Sequence, residues 1–358
     1  MRFTHRTTCA FLFLVLSAIA RLGFGQNQHA KAPRKEPVSA NLPGAAFAAL
    51  QTIDPEHIRW HVRFLSQDVL QSGSAAQGGG IAAEYIATQF AEYGLKPGGD
   101  NNSYFQRAHI AGQLRSFESN NVVAILPGSD RKLREEAVLY TAHFATSFAR
   151  SDGNAAENSA GGNTLPTSGD ATGCGILLEL ARAFSVAREH PRRSIIFAVL
   201  IEEPGPVAAE YLASHLPVGT GKISLDLNYD IVKPLGAPQE VRVDGAERTT
   251  FYPWVQTTAK LFRLAIRPEA PSELRPSHDL AMGNLGIPAF SINEGMKFKG
   301  HPETWGIAKN KELVQASYSE NDSHPPAVDF VGDAAMARFG FALGWEAANL
   351  LHQITWEK

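Results

Sequence analysis

The apolar positions of the chain are spaced in two ways, one typical of amphipathic helices and one typical of buried strands. Helical spacing, in which apolar side chains recur every three or four residues, covers Pro55 to Gln71, Ile81 to Tyr93, Gly175 to Val186, Val207 to His215 and Gly332 to Leu351. Glycines 78–80 predict a break before the second of these helices, and Gly94 predicts its end as a C-cap. Ser194 to Ile201 is instead an unbroken run of apolar and β-branched residues, as in a parallel strand covered on both faces.

Shorter apolar runs predict the other strands: Asn121 to Leu126, Ala137 to Tyr140, Lys222 to Leu227 and Ile287 to Ile292. Pro127-Gly128 predicts a turn between the first two. Strands and helices alternate through the centre of the chain, which is the βαβ pattern of an open, mainly parallel sheet. The sequence therefore predicts one α/β domain over residues 51–358, with a mixed, mainly parallel central sheet flanked by helices.

The N-terminus, residues 1–25, has the pattern of a signal peptide. A basic start precedes the apolar run Cys9 to Ala20, which is too short to span a bilayer. Cleavage after Gly25 would leave a linker over residues 26–50, so we expect a secreted or periplasmic protein. The alternative is a retained N-terminal anchor, because Arg21 interrupts the usual cleavage pattern.

Composition and cysteine content narrow the range of partners. The 358 residues carry a net charge of -3 with 19% charged residues and no clustered basic face, so nucleic acid is not an expected partner. No later segment is apolar enough to cross a membrane, and no stable membrane insertion is expected. Removal of Cys9 with the signal would leave Cys174 alone, so we expect a buried thiol and no intramolecular disulfide.

Acidic and imidazole side chains stand where the predicted strands end. His143 follows the strand that starts at Ala137, read as far as Ala142, and the pair Glu202 and Glu203 follows the strand that ends at Ile201. Asp226 follows the third strand, read as far as Leu225, and Asp170 opens the central helix. Each alone is commonly a cap, a turn residue or a surface charge. Together, at the edge where the carboxyl ends of parallel strands meet, they suit a divalent metal with a carboxylate base. One glutamate can bind the metal while its neighbour deprotonates a metal-bound water.

Several short motifs occur in an order and spacing that is specific as a set. They are Phe64-Leu65-Ser66, Gly94-Leu95-Lys96-Pro97, Tyr104-Phe105-Gln106, Asn120-Asn121-Val122-Val123-Ala124, Thr141-Ala142-His143-Phe144, Ala171-Thr172-Gly173, Ile201-Glu202-Glu203-Pro204-Gly205, Leu225-Asp226-Leu227, Ser277-His278-Asp279 and Gly286-Ile287-Pro288-Ala289. This set resembles the zinc-dependent aminopeptidases of clan MH, which include secreted leucyl aminopeptidases, aminopeptidase Y and glutaminyl cyclases. The resemblance extends over nearly all of the mature chain. It implies that Glu202 is the general base, that Glu203 binds one zinc, and that His143 and Asp226 bind the other, with a bridging Asp and a late His completing both sites.

The chain departs from this family pattern at three places. Ala145 stands where the family has an Asp that orients the His ligand. Counting without a gap puts Gly169 at the bridging position, so Asp170 serves only if the loop is one residue shorter. The region of the late His, Ser317 to Asp322, contains no His, and His324 just downstream is the candidate replacement. Two dications need a bridging anion to offset their repulsion, so the gaps predict one zinc or none.

The sequence thus predicts a secreted, zinc-dependent metallopeptidase of aminopeptidase type that acts on peptides. The main alternative is a catalytically impaired homologue that binds peptides or a partner through the same cleft. The glutamate pair favours the enzyme, because a binding module needs no base, whereas the three gaps favour the binder. A cyclase acting on N-terminal glutamine is a third hypothesis, which rests on family kinship alone.

Overall fold

Helices and strands alternate along most of the computed structural model, which describes residues 42–67, 70, 75–111, 116–144, 169–201, 207–229, 232–268, 282–316 and 328–357. The main helices of this part are α1 Gly44–Leu50, α2 Pro55–Leu65, α3 Ala75–Glu92, α4 Gly169–Ser185, α5 Val207–Ser214, α6 Tyr252–Phe262, α7 Trp305–Ala316 and α8 Val331–Asn349. The strands are β1 Lys96–Pro97, β2 Phe105–Ala111, β3 Ser116–Leu126, β4 Ala137–Phe144, β5 Ser194–Ile201, β6 Ile223–Asn228, β7 Glu240–Asp244, β8 Ala265–Ile266 and β9 Ala289–Glu294. All of these elements belong to one compact unit.

The described strands form one mixed sheet with a parallel centre. Their order is β1-β3-β5-β4-β6-β9-β7-β8, and β2 pairs with β3 outside this path. The central strands β5, β4, β6 and β9 run parallel, whereas β3 and β7 are antiparallel to their neighbours in that group. This arrangement confirms the predicted α/β fold with a mixed, mainly parallel sheet.

Helices bury both faces of the sheet. Alternate residues of β5 divide between two cores: Ile195, Phe197 and Val199 belong to the larger core, and Ile196, Ala198 and Leu200 to the smaller. Helices α2, α3, α4, α6 and α8 contribute to the larger core, and α5 contributes to the smaller. This burial on both faces explains why every residue of β5 after Ser194 is apolar.

Helix α8 lies directly against the central strands because two of its residues have no side chain. A Cβ at Gly340 would lie 1.6 Å from the Tyr229 hydroxyl oxygen, and one at Gly344 would lie 1.8 Å from that of Tyr140. The Tyr140 hydroxyl donates a hydrogen bond of 2.9 Å to the Gly340 carbonyl. Helix α8 and the central strands therefore enclose buried tyrosine hydroxyls. The hydrogen bonds of these hydroxyls require the close approach of the helix to the strands.

Two local predictions are wrong. Helix α3 begins at Ala75 and runs through glycines 78–80, where a break was expected. Each glycine costs about 1 kcal/mol relative to alanine in a helix, and the buried side chains of Ile86 and Phe90 offset that cost. Helix α2 ends at Leu65, whereas its apolar spacing predicted a helix as far as Gln71. The strands on either side of Pro127-Gly128 are both present, and in the sheet β5 lies between them.

Several other predictions agree with the structure. Gly94 has a φ of 71°, as a C-cap glycine requires, and β5 spans the predicted residues. Cys174 is buried and forms no disulfide. Within the described ranges, no helix is both long enough and apolar enough to cross a membrane.

Candidate metal site at the carboxyl ends of the central strands

Polar side chains share one face of the sheet at the carboxyl ends of β4 and β6. In the parallel pairing of these strands, Leu139 is opposite Asp226 and Thr141 is opposite Asn228. Because successive side chains alternate between faces, Thr141 and His143 lie on the same face as Asp226 and Asn228. Leu139, on that face, belongs to the smaller core. The face is therefore apolar at its base and polar toward the edge of the sheet.

Three of these polar side chains are linked by hydrogen bonds. The Thr141 hydroxyl donates to Asp226 Oδ1 at 3.0 Å, and Asn228 Nδ2 donates to Thr141 Oγ1 at 3.1 Å. All three residues are fully buried. The Asp226 carboxylate reaches Thr141, although its own residue is opposite Leu139, two positions earlier on β4. Its side chain therefore leans along the strand toward the edge where His143 lies.

His143 is buried at the penultimate position of β4, next to the start of α4. Its backbone carbonyl accepts a hydrogen bond of 3.2 Å from the thiol of Cys174. A Cβ at Gly173 would lie 1.9 Å from the carbonyl oxygen of Tyr229, so only glycine allows α4 to approach the end of β6 this closely. These contacts place the start of α4, which contains Asp170, beside the ends of β4 and β6.

The predicted strand ends need one correction. Asp226 was expected to follow its strand, but it lies inside β6, which continues to Asn228, and His143 likewise lies inside β4. Glu202 and Glu203 come directly after Ile201, the last residue of β5. Both glutamates lie outside the described residues.

The structure thus describes only part of the predicted ligand set. The side chain of Asp170 and the residues Ala145 and His324 also lie outside the described part of the chain. Over the ranges that are described, no group of three His, Cys, Asp or Glu side chains could hold a metal.

The side chains of His143 and Asp226 are of types that bind zinc, but two ligands are fewer than a zinc site needs. Imidazole nitrogen and carboxylate oxygen are both common zinc ligands, but a zinc site in a protein has at least three. Asn228 Oδ1 adds a buried acceptor without a hydrogen-bond partner among the described residues, and buried acceptors of this kind are normally satisfied by a bound group or water. One zinc at this edge therefore needs further ligands from the segments that follow the strands.

Thr141 and Asn228 are the site residues that sequence reasoning missed. Thr141 was noted only as part of a motif, and Asn228 was not noted. The signal was present, because each is a polar residue in an apolar strand, two positions from a candidate ligand. Residues two positions apart in a strand lie on the same face. The alternation of side chains alone would therefore have placed Thr141 beside His143 and Asn228 beside Asp226.

A second acidic pair lies on the opposite face of the sheet, toward the larger core. Glu294, the last residue of β9, is largely but not fully buried, and burial raises its pKa to about 7. Its Oε1 accepts a hydrogen bond of 3.1 Å from the backbone N–H of Lys233, while its Oε2 has no partner among the described residues. Asp333, in the first turn of α8, is also buried, and burial followed by the charge of Glu294 raises the pKa of that carboxyl well above its usual value.

Comparison with known proteins places the chain in a family. Residues 121–318, more than half of the sequence, match peptidase family M28. The chain therefore belongs to peptidase family M28. The matched segment includes His143, Asp170, Glu202, Glu203 and Asp226. No curated protein sequence matches the chain.

Solved structures share the fold at low sequence identity. The LapA aminopeptidase of Legionella pneumophila superimposes with a TM-score of 0.59 at 14% identity, covering 94% of this chain and 82% of that one. The aminopeptidase of Aneurinibacillus sp. strain AM-1 gives a TM-score of 0.55 at 12% identity, covering 87% of this chain and 99% of that one. The glutaminyl cyclase of Tannerella forsythia gives 0.53 at 15% identity, covering 82% and 98%. This likeness shows the fold, which aminopeptidases and glutaminyl cyclases have in common.

Proposed function

We propose that this protein is a secreted, zinc-dependent metallopeptidase of aminopeptidase type. The observation that carries the proposal is the placement of His143 and Asp226 on one face of the sheet, beside the start of α4. Membership of family M28 and the fold shared with two aminopeptidases support the peptidase reaction. Peptides are accordingly the proposed substrates.

The roles of the residues follow from their chemistry. His143 and Asp226 would hold the zinc, and Glu203, next after Glu202 beyond β5, would join them. Zinc would supply Lewis acidity toward the peptide carbonyl. The Glu202 carboxylate would take the proton of the attacking water and return it to the leaving amine. Asp170 would contribute only if the loop before α4 directs its carboxylate to the same edge.

A catalytically impaired, peptide-binding homologue is the second candidate. Ala145 and the absence of a His between Ser317 and Asp322 favour it, because both remove support for a zinc pair. The glutamate pair after β5 favours the enzyme, since only a catalyst needs a base beside a ligand. The cyclase reaction has the weaker support of a shared fold.

The purified mature protein is expected to contain at most about one zinc per chain, because the ligand set is too small for two. Elemental analysis of the full mature chain measures this, and turnover of an aminoacyl p-nitroanilide measures the activity. His143→Ala should lower the zinc content, whereas a change of the remote His352 to Ala should not. Two zincs per chain with rapid turnover would contradict the count, and no zinc with no turnover would favour the binding homologue.

Secretion rests on the apolar run Cys9 to Ala20 and is a proposal of its own. The mature chain is expected to begin near Gln26 and to be found outside the cytoplasm. N-terminal sequencing of the protein from culture fractions tests this. A cytosolic protein that retains Met1 would contradict it.

A further inference from the structure

We propose that Thr141 and Asn228 are positioning residues that hold the Asp226 carboxylate in the orientation required for zinc binding. The inference rests on the proposed function, because it concerns a ligand of that zinc. Both would act through Asp226, Thr141 by donating to its carboxylate and Asn228 by donating to Thr141.

These three residues are buried polar side chains joined to one another across two neighbouring strands. Thr141, Asp226 and Asn228 are fully buried, in strands whose other described positions are almost all apolar. A buried polar group costs free energy unless it is hydrogen-bonded, and a buried charge costs more. The hydrogen bonds among the three offset much of this cost, but Asn228 Oδ1 has no partner among the described residues. A function in ligand orientation gives a reason for keeping this network in the sheet.

The donor and acceptor of each hydrogen bond in this network can be assigned, and the final acceptor is the Asp226 carboxylate. Asn228 Nδ2 can only donate, so Thr141 Oγ1 accepts that bond. The single proton of the Thr141 hydroxyl then remains for Asp226 Oδ1. If the Asn228 amide were turned over, its oxygen and the carboxylate would compete for that proton. The order from Asn228 to Thr141 to Asp226 is the one that satisfies both bonds.

The network determines where the carboxylate points. Asp226 is opposite Leu139 in the register of the two strands, and its bond to Thr141 directs the carboxylate two positions toward His143. Groups that orient a ligand in this way typically contribute 10- to 100-fold in metal affinity. The network therefore prepares Asp226 for a metal that His143 would share.

Substitution of Thr141 by valine tests the inference, because valine keeps the shape and removes the hydroxyl. Zinc affinity is measured on the full mature chain by competition with a chromophoric zinc chelator. Thr141→Val is expected to weaken zinc binding about 10- to 100-fold. Thr141→Ser restores the hydroxyl and is expected to bind within about threefold of the wild type, and the same order should appear in kcat rather than KM.

Thr249→Val is the matched control for loss of a buried threonine hydroxyl. Thr249 is also fully buried, and its hydroxyl donates to the Ala246 carbonyl at 2.8 Å, between β7 and α6. Its replacement should lower the thermal midpoint as a buried hydrogen bond is lost, but leave zinc affinity unchanged. A purely structural role for Thr141 predicts that both variants behave alike.

The outcomes separate this inference from the proposed function. Wild-type and Thr141→Val proteins with equal zinc affinity would overturn the inference alone. A wild-type protein that binds no zinc would overturn the proposed function and this inference with it. If Thr141→Val does not fold, Asn228→Ala takes its place, and the same loss of zinc affinity is expected because the direction of the Thr141 hydroxyl is no longer determined.

Discussion

Replacement of Glu202 by glutamine is expected to abolish peptidase activity while zinc content stays nearly unchanged. Glutamine keeps the size and polarity of the side chain but cannot take a proton from the attacking water. Loss of a general base typically lowers the rate by 10²- to 10⁴-fold. The kcat on an aminoacyl p-nitroanilide measures the loss, and elemental analysis of the same preparation measures the zinc.

Glu203→Gln is the matched control for this substitution, since the two glutamates are adjacent in sequence. Because Glu203 is the proposed ligand, its replacement should lower zinc content and activity together. A Glu202→Gln protein that keeps its rate would exclude Glu202 as the base. If the Glu202→Gln protein loses its zinc, the roles are the reverse of those proposed, with Glu202 as the ligand and Glu203 as the base.

Replacement of Glu294 by glutamine is expected to stabilise the protein at pH 8 and to change little at pH 4. Burial raises the pKa of Glu294 from 4.5 to about 7, so the folded state disfavours the carboxylate. Below pH 4.5 the group is protonated in both states and costs nothing. As the pH rises toward 7, ionisation becomes favourable in the unfolded chain first, and stability falls until the folded pKa is passed.

The size of this effect follows from the shift. A difference of about 2.5 pKa units corresponds to about 3 kcal/mol at pH 8, and this is the largest stabilisation that Glu294→Gln could give. Glutamine keeps an oxygen to accept the N–H of Lys233, as Oε1 does now. The amide nitrogen of the glutamine would replace Oε2, which has no partner among the described residues. Its buried protons would lack acceptors there, and this cost offsets part of the gain in stability. Urea denaturation at pH 4 and pH 8 measures the free energy of unfolding.

An exposed glutamate provides the control for the Glu294 experiment. Glu312 on α7 is 55% exposed and pairs with Lys309 one turn away. Its replacement by glutamine should change the free energy of unfolding by less than about 1 kcal/mol at either pH. If Glu294→Gln shows the same small change at pH 4 and pH 8, then Glu294 does not oppose folding at neutral pH.

The fold class and the order of the main elements could be predicted from the sequence alone. The run Ser194 to Ile201 predicted a strand buried on both faces, because its residues after Ser194 are all apolar and a strand with one solvent-exposed face would alternate apolar and polar residues. The alternation of strands and helices then predicted a mainly parallel sheet, since parallel neighbours need a crossover between them. Candidate ligands such as His143 could be chosen as well, because carboxyl ends of parallel strands meet at one edge.

The neighbours of each strand and the register between them could not be predicted from the sequence. No local pattern reveals that β5 separates β3 from β4, since that order depends on contacts between segments far apart in the chain. Helix α3 continues through glycines 78–80 because packing outweighs local helix propensity. The hydrogen bonds of Thr141 with Asp226 and Asn228 depend on the register between β4 and β6. The sequence of either strand alone does not show which residues of the other strand lie opposite it.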